Sequence, residues 1–212
     1  TLTDVYRQET RLYDGLAELL KLLIDDPGVR VGIVTRNITL EPAETMRQLL
    51  HRHAIDIDAL DFLACIPLRE DKQKQFCAIR TMLGINPALG YACGDEYPDY
   101  AAAIGAGLHP FIAAYGFEDY RRLRDGNVPD AVIAATPQAL ADRLCHALGL
   151  PAPGDAAATQ PVAAAIVGTI SRSPRDSATR WAATLPSRAA AIIPVANNFN
   201  ITRRTRPHPM SS

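Results

Sequence analysis

Two groups of polar residues in this sequence have the chemistry needed to hold a phosphoryl group. The first is Thr35-Arg36-Asn37, which follows the apolar stretch 29–34. A hydroxyl and backbone N–H groups at the end of a strand can hold a phosphate oxygen, although a polar loop has the same composition. The second is Lys72, at the start of a helical pattern, where its ammonium could neutralise phosphoryl charge. Taken alone, a lysine in such a charged run is more often a solvated side chain.

A third group suits a hard cation. In Gly94-Asp95-Glu96-Tyr97-Pro98-Asp99 a glycine precedes one carboxylate, and the second follows four residues later. Glycine keeps the backbone low beneath a ligand, and Mg²⁺ prefers oxygen ligands of this kind. Capping of a helix by Asp95 or Asp99 is the alternative.

The elements that position these groups alternate along the first 150 residues. Short apolar stretches rich in β-branched residues predict strands, and apolar residues at helical spacing predict helices. We expect strands at 29–34, 62–66, 90–93, 111–114 and 131–133, and helices at 12–23, 41–53, 72–83, 101–105, 117–125 and 137–148. Repeated βα units predict an α/β fold, a Rossmann-like three-layer sandwich with a mostly parallel sheet. The strands' carboxyl ends, where ligands bind in such sheets, then share one edge.

Composition excludes several classes of protein. The net charge is −1, which argues against a dedicated nucleic-acid or membrane-surface protein. The four cysteines form no CxxC pair, so we expect neither a zinc site nor a disulfide framework. No run of about 18 apolar residues occurs, and isolated cysteines in apolar runs are typical of a reducing compartment. We therefore expect a cytoplasmic protein with no membrane partner.

A boundary is expected near residue 150. Residues 151–212 contain seven Arg and two Asp but neither Lys nor Glu, in text rich in Ala, Pro and Ser. Such low-complexity composition offers little apolar area to offset the entropy of ordering. We expect residues 1–150 to form the folded domain, and residues 151–212 to be a largely disordered, dispensable tail.

The order of the three polar groups resembles the second, third and fourth motifs of the haloacid dehalogenase (HAD) superfamily. The resemblance runs from Val34-Thr35-Arg36-Asn37 through Lys72 to Gly94-Asp95-x-x-x-Asp99, and covers roughly residues 1–150. It is nearest to the phosphatase branch that includes phosphoglycolate and phosphoserine phosphatases. The fourth motif is fairly specific, and the ordered set is more so than any single motif.

The resemblance implies a phosphoric monoester hydrolase that acts through an aspartyl-phosphate. Thr35 would bind a phosphoryl oxygen, with Arg36 and Asn37 beside it in the substrate site. Lys72 would stabilise the phosphoryl group, and Lys74 is the competing candidate for that lysine. A small phosphorylated metabolite is the implied substrate.

The resemblance also implies a magnesium cofactor. Asp95 would ligate Mg²⁺, directly or through water, and Asp99 would support it. A metal ion at this position neutralises and orients the phosphoryl group.

The family's first motif, DxDx(T/V), which carries the nucleophilic aspartate, has no counterpart in this sequence. The one DxD, Asp56-Ile57-Asp58, follows a helical pattern and is interpreted as a surface turn. We expect the sequence to be truncated before or within that motif, and the chain to be inactive as it stands. A non-catalytic remnant that binds phosphate or a protein is the alternative, and a response-regulator-like receiver is a further one.

Overall fold

The computed structural model describes residues 4, 7–8, 10–36, 41–153 and 189–193. Six strands form one sheet in the order β2-β1-β6-β3-β4-β5, and every ladder in it is parallel. The strands are β1 (Val29–Arg36), β2 (Phe62–Ile66), β3 (Gly90–Gly94), β4 (His109–Ala113), β5 (Ile133–Ala134) and β6 (Ala189–Ile193). The expected α/β, Rossmann-like sheet is confirmed.

Helices cover both faces of this sheet. They are α1 (Leu16–Asp25), α2 (Pro42–His51), α3 (Lys72–Met82), α4 (Tyr97–Gly105), α5 (Tyr120–Asp125) and α6 (Pro137–Leu148). Apolar residues of α1, α2 and α6 pack in one core with one face of β1, and those of α3 and α4 pack in a second core on the opposite face. In the described part of the chain, no helix is long and apolar enough to cross a membrane.

The central strand comes from the C-terminal segment. β6 pairs with β1 through Ala191–Val31 and with β3 through Ala191–Tyr91, and the Ala191 side chain is fully buried. For these five residues the structure differs from the disorder expected of 151–212. The remainder of that expectation, from residue 154 to 188 and from 194 onward, lies outside the described residues. The division at residue 150 therefore stays a prediction.

Three element boundaries differ from the sequence prediction near the polar groups. The helix predicted at 101–105 begins earlier, at Tyr97, so Asp99 lies within its first turn. β1 continues through Thr35 and Arg36, because both residues pair with β2, so they end the strand rather than follow it. The helix expected from residue 117 begins only at Tyr120, with Asp119 as its N-cap. Residues 117–118, which were expected to be helical, instead form a loop that contacts Asp95.

Candidate functional site

The sheet has a topological switch point at its centre, where successive strands begin to be added on the opposite side. β1 is followed by β2 on one side, whereas β3 is followed by β4 and β5 on the other. In open α/β sheets the crevice at the carboxyl ends of the strands beside such a switch point is the usual ligand site. Here that crevice lies between the ends of β1 and β3.

Thr35 and Asp95 lie at the ends of β1 and β3, the two strands that flank the central strand. Gly32 of β1 and Ala92 of β3 both pair with Ile192, so Thr35 and Asp95, each three residues further on, lie at the same level. Two strand spacings separate their backbones, or about 10 Å.

The Thr35 hydroxyl is buried and has no hydrogen-bond partner among the residues that the structure describes. Only 2% of the residue is exposed, and among the described residues nothing hydrogen-bonds to its Oγ1 atom. An unsatisfied buried hydroxyl is destabilising by about 1–3 kcal/mol, and most such groups in folded proteins are satisfied. The atom is therefore suited to a ligand oxygen at the strand end.

A buried ion pair joins the other two polar groups. The Lys72 ammonium, at the start of α3, donates to Oδ1 of Asp99 in the first turn of α4, and both side chains are at least nine-tenths buried. The second oxygen of Asp99, Oδ2, accepts the backbone N–H of Asp95 at 3.2 Å. Asp71 caps α3 by accepting the N–H of Gln73 at 2.8 Å. This cap makes Lys72 the first residue of the helix.

The loop after β4 holds the Asp95 side chain. The N–H of Phe117 donates to Oδ2 of Asp95 at 3.0 Å, and the N–H of Glu118 donates to the Asp95 backbone carbonyl at 3.0 Å. A Cβ atom at Gly116 would lie within 3.0 Å of the Asp95 side chain, and one at Gly94 would collide in the same way with Asp99. Glycine is needed at both positions so that the two carboxylates can approach the backbone.

Burial, and after it the charge of Asp99, raises the pKa of the Asp95 and Glu96 carboxylates. Burial raises the pKa of Asp95, the Phe117 N–H opposes that rise, and the charge of Asp99 adds to it. Burial and then the Asp99 charge raise the pKa of Glu96, while Lys72 and, more weakly, Arg36 lower it.

A pH dependence follows from these shifts. Because the folded state raises the pKa of Asp95 above its ordinary 3.8, this group favours folding below that pH and loses the contribution as pH rises through the folded value. We expect Asp95→Asn, which keeps an acceptor for Phe117, to unfold at higher urea concentration than the natural chain at about pH 8, and to lose that advantage near pH 4. Urea titrations across the range measure this, with Asp58→Asn on an exposed turn as the control. A constant difference between the two chains at every pH would contradict it.

The described residues fit a magnesium ion only in part. Among them, no group of three or more His, Cys, Asp or Glu side chains is arranged to hold a metal. Both oxygens of Asp99 already accept N–H donors, which suits a supporting role, whereas the hydrogen bond from Phe117 to Asp95 uses Oδ2 of that carboxylate. Asp95 is thus the one carboxylate we assign as a candidate ligand, and the remaining ligands would have to come from elsewhere.

The structure brings most of the sequence-predicted residues to one edge. Lys72, Asp95 and Asp99 are linked by hydrogen bonds, and Thr35 and Arg36 end the strand opposite them. Asn37 lies outside the described residues. Lys74, two residues further along α3, is exposed, whereas Lys72 is buried.

The DxD sequence Asp56-Ile57-Asp58 lies away from the Thr35, Lys72, Asp95 and Asp99 residues. Asp56 and Asp58 occupy a 3-10 turn before β2, at the opposite edge of the sheet, where Asp56 accepts the N–H of Asp58 at 3.0 Å. The interpretation as a surface turn agrees with this placement.

Sequence reasoning missed the loop that grips Asp95. Gly116 and Phe117 were visible only as part of a closing βα unit, because the pattern of residues 117–125 is typical of a continuous helix. A glycine between two aromatic residues directly after a strand is the signal that could have marked a tight loop.

Comparison of the chain with protein-family models, with curated proteins and with solved structures finds no match.

Proposed function

We propose that this chain is the phosphoryl-binding core of a HAD-like phosphatase that acts on a small phosphorylated metabolite and uses Mg²⁺. The observation that carries the proposal is that Thr35, whose buried hydroxyl has no partner among the described residues, and the buried Asp95 lie at one backbone level on either side of the switch point. The family resemblance of the motifs adds the reaction class.

Each residue has a separate part in the proposal. The Thr35 hydroxyl donates to a phosphoryl oxygen at the end of β1. Lys72 contributes positive charge beside that oxygen, and Asp99 fixes its ammonium and the Asp95 backbone as a positioning residue. Asp95 would hold the magnesium ion, which when bound neutralises phosphoryl charge.

Replacement of Thr35 separates binding from stability. Because an unsatisfied buried hydroxyl is destabilising by about 1–3 kcal/mol, Thr35→Val should leave the free energy of unfolding unchanged or raise it by up to that amount. Loss of one hydrogen bond of about 1 kcal/mol should weaken orthophosphate binding roughly fivefold. Isothermal titration calorimetry with orthophosphate, in the presence of Mg²⁺, measures the change.

Thr136→Val is the matched control for this experiment. Its hydroxyl caps α6 by accepting the Ala139 N–H at 3.1 Å. This variant should lose about 1 kcal/mol of stability and keep its phosphate affinity. Equal phosphate affinity in Thr35→Val and the natural chain would remove Thr35 from the site.

A non-catalytic phosphate-binding remnant is the second candidate, since the buried Thr35 hydroxyl could hold a phosphate oxygen without any catalytic group. The two candidates differ in one experiment. Fusion of an upstream DxDGT-containing strand should create hydrolysis of p-nitrophenyl phosphate in a phosphatase core, and Lys72→Ala should lower that hydrolysis by roughly 100-fold. A remnant would bind phosphate and stay inactive after fusion.

A further inference from the structure

Two arginine side chains, Arg11 and Arg52, bind one carbonyl oxygen and so lie beside each other. Arg52, the C-cap residue of α2, donates to the backbone carbonyls of Arg7 and Thr10, each at 2.7 Å. Arg11 donates to the carbonyls of Gln8 and Thr10, the latter at 2.9 Å. Because both bind the Thr10 oxygen, the two guanidinium groups are within a few ångströms of each other. In the part of the chain that the structure describes, neither forms a salt bridge with a carboxylate.

This arrangement holds two like charges together. Burial, and after it the charge of Arg11, lowers the pKa of Arg52. Two positive charges at this separation repel each other, and an anion bound between them would replace that repulsion with attraction. A guanidinium group has more N–H donors than the two that each arginine uses on carbonyls, so donors on both remain for a ligand. Phosphate and carboxylate oxygens are the acceptors that match this fork of donors.

A cavity of about 640 Å³ adjoins Arg52. Sites for small molecules have volumes of about 300–1,000 Å³, so this cavity has room for one. Every described residue that lines it has a polar side chain, which favours a charged ligand over an apolar one. The ionisable residues of the lining are Asp4, Arg7, Glu44, Arg47, His51 and Arg52.

The carboxylates of this lining do not neutralise Arg52. Among the described residues, Glu44 lies 3.9 Å from Arg47, and Asp4 forms no salt bridge with Arg52 or Arg11. The positive charge of Arg11 and Arg52 is therefore available to a ligand. The Arg47 side chain is about half exposed, and exposed ion pairs of this kind contribute little, so it can turn toward a ligand in the cavity.

We propose that Arg11, Arg52 and the cavity beside Arg52 bind a small molecule with two adjacent anionic groups, as a diphosphate or a polycarboxylate has. One anionic group lies between the two guanidinium groups, and the other extends into the cavity, where Arg47 pairs with it. The site shares no residue with the crevice between β1 and β3. The proposal therefore goes beyond phosphoryl binding in that crevice and does not depend on it.

Isothermal titration calorimetry of the full chain with pyrophosphate and, separately, with citrate tests this site. EDTA is present throughout, so that binding through Mg²⁺ does not contribute. We expect at least one of the two anions to bind with a Kd of about 1 mM or less. Arg11→Gln and Arg52→Gln should each weaken that binding by about tenfold or more, because a hydrogen bond between charged groups is lost. Binding of pyrophosphate alone assigns a phosphate-bearing ligand, and binding of citrate alone assigns a polycarboxylate.

Arg121→Gln is the matched control, because it removes an exposed arginine of α5 that lies 3.9 Å from Asp125. It should leave the affinity for either anion within about twofold of its original value. If Arg52→Gln does not fold, Arg11→Gln alone decides, since the Arg11 hydrogen bonds stay within residues 8–11. Absence of binding by both anions, or equal affinity in Arg11→Gln and the natural chain, would overturn the proposal. Loss of the binding in Thr35→Val would also overturn it, because the anion would then lie in the crevice.

Discussion

Ala191→Asp is expected to lower the free energy of unfolding by about 3–5 kcal/mol. The Ala191 side chain is fully buried in the core that α1, α2 and α6 share with β1, and its backbone pairs with Val31 on one side and Tyr91 on the other. A carboxylate there would be buried in apolar surroundings without a partner. The alternative, release of β6, would divide the sheet into a β2-β1 part and a β3-β4-β5 part. Urea denaturation followed by circular dichroism measures the loss.

The matched control is Ala101→Asp, on the exposed side of α4. A charge on that solvated surface should change stability by less than about 1 kcal/mol. A chain that ends at Pro153 supplies an independent comparison, because it lacks β6 altogether. We expect it to lose cooperative unfolding, contrary to the dispensable tail that composition predicts. If Ala191→Asp and Ala101→Asp unfold alike and the shortened chain stays cooperative, β6 does not complete the sheet.

Asp99→Asn is expected to lower the free energy of unfolding by about 3–5 kcal/mol, because it leaves the buried Lys72 ammonium without its counter-charge. Lys72→Met should have an effect of similar size by leaving Asp99 as an uncompensated buried carboxylate. In the double variant both charges are absent, so its loss should be smaller than the sum of the single losses by roughly 2 kcal/mol or more. The three variants and the natural chain form a double-mutant cycle measured by urea denaturation.

The neighbouring lysine provides the control for this cycle. Lys74→Met changes an exposed side chain on the same helix and should alter stability by no more than about 0.5 kcal/mol. Additive losses in the double variant would show that the ion pair contributes no coupling. If Lys74→Met lowers the free energy of unfolding as much as Lys72→Met does, Lys72 is not the specific buried partner of Asp99.

The buried pair also explains why the site needs both helices. Lys72 and Asp99 lie in the first turns of α3 and α4, which pack in the same core. Because Asp99 bonds both to Lys72 and to the Asp95 N–H, it connects these two helix starts to the end of β3. A buried charge pair is weak evidence for stability when compared with apolar residues of equal size. Its value here lies in orientation, since Asp99 also fixes the Asp95 backbone.

Local patterns in the sequence were enough to predict the fold class and several of the polar residues that end elements at one edge of the sheet. Alternating apolar runs and helical spacing predict a parallel α/β sheet, because side-chain periodicity depends on the backbone geometry of each element. The residues Thr35, Lys72, Asp95 and Asp99 follow or end predicted elements, and right-handed parallel crossovers bring such positions to a common edge. For these features, local sequence and general chain geometry suffice.

The tertiary structure decided what fills the sheet's centre and which partners the site residues have. No local pattern marks Ala189–Ile193 as a central strand, because alanine-rich composition is unfavourable for strands and only pairing with β1 and β3 selects that conformation. The choice of Lys72 over Lys74 likewise depends on which of the two meets Asp99 across the helix interface. The loop that grips Asp95 replaces a helix turn because its N–H groups bond to that residue rather than within a helix. Each of these outcomes rests on contacts between residues far apart in the chain, which a reading of neighbouring residues does not contain.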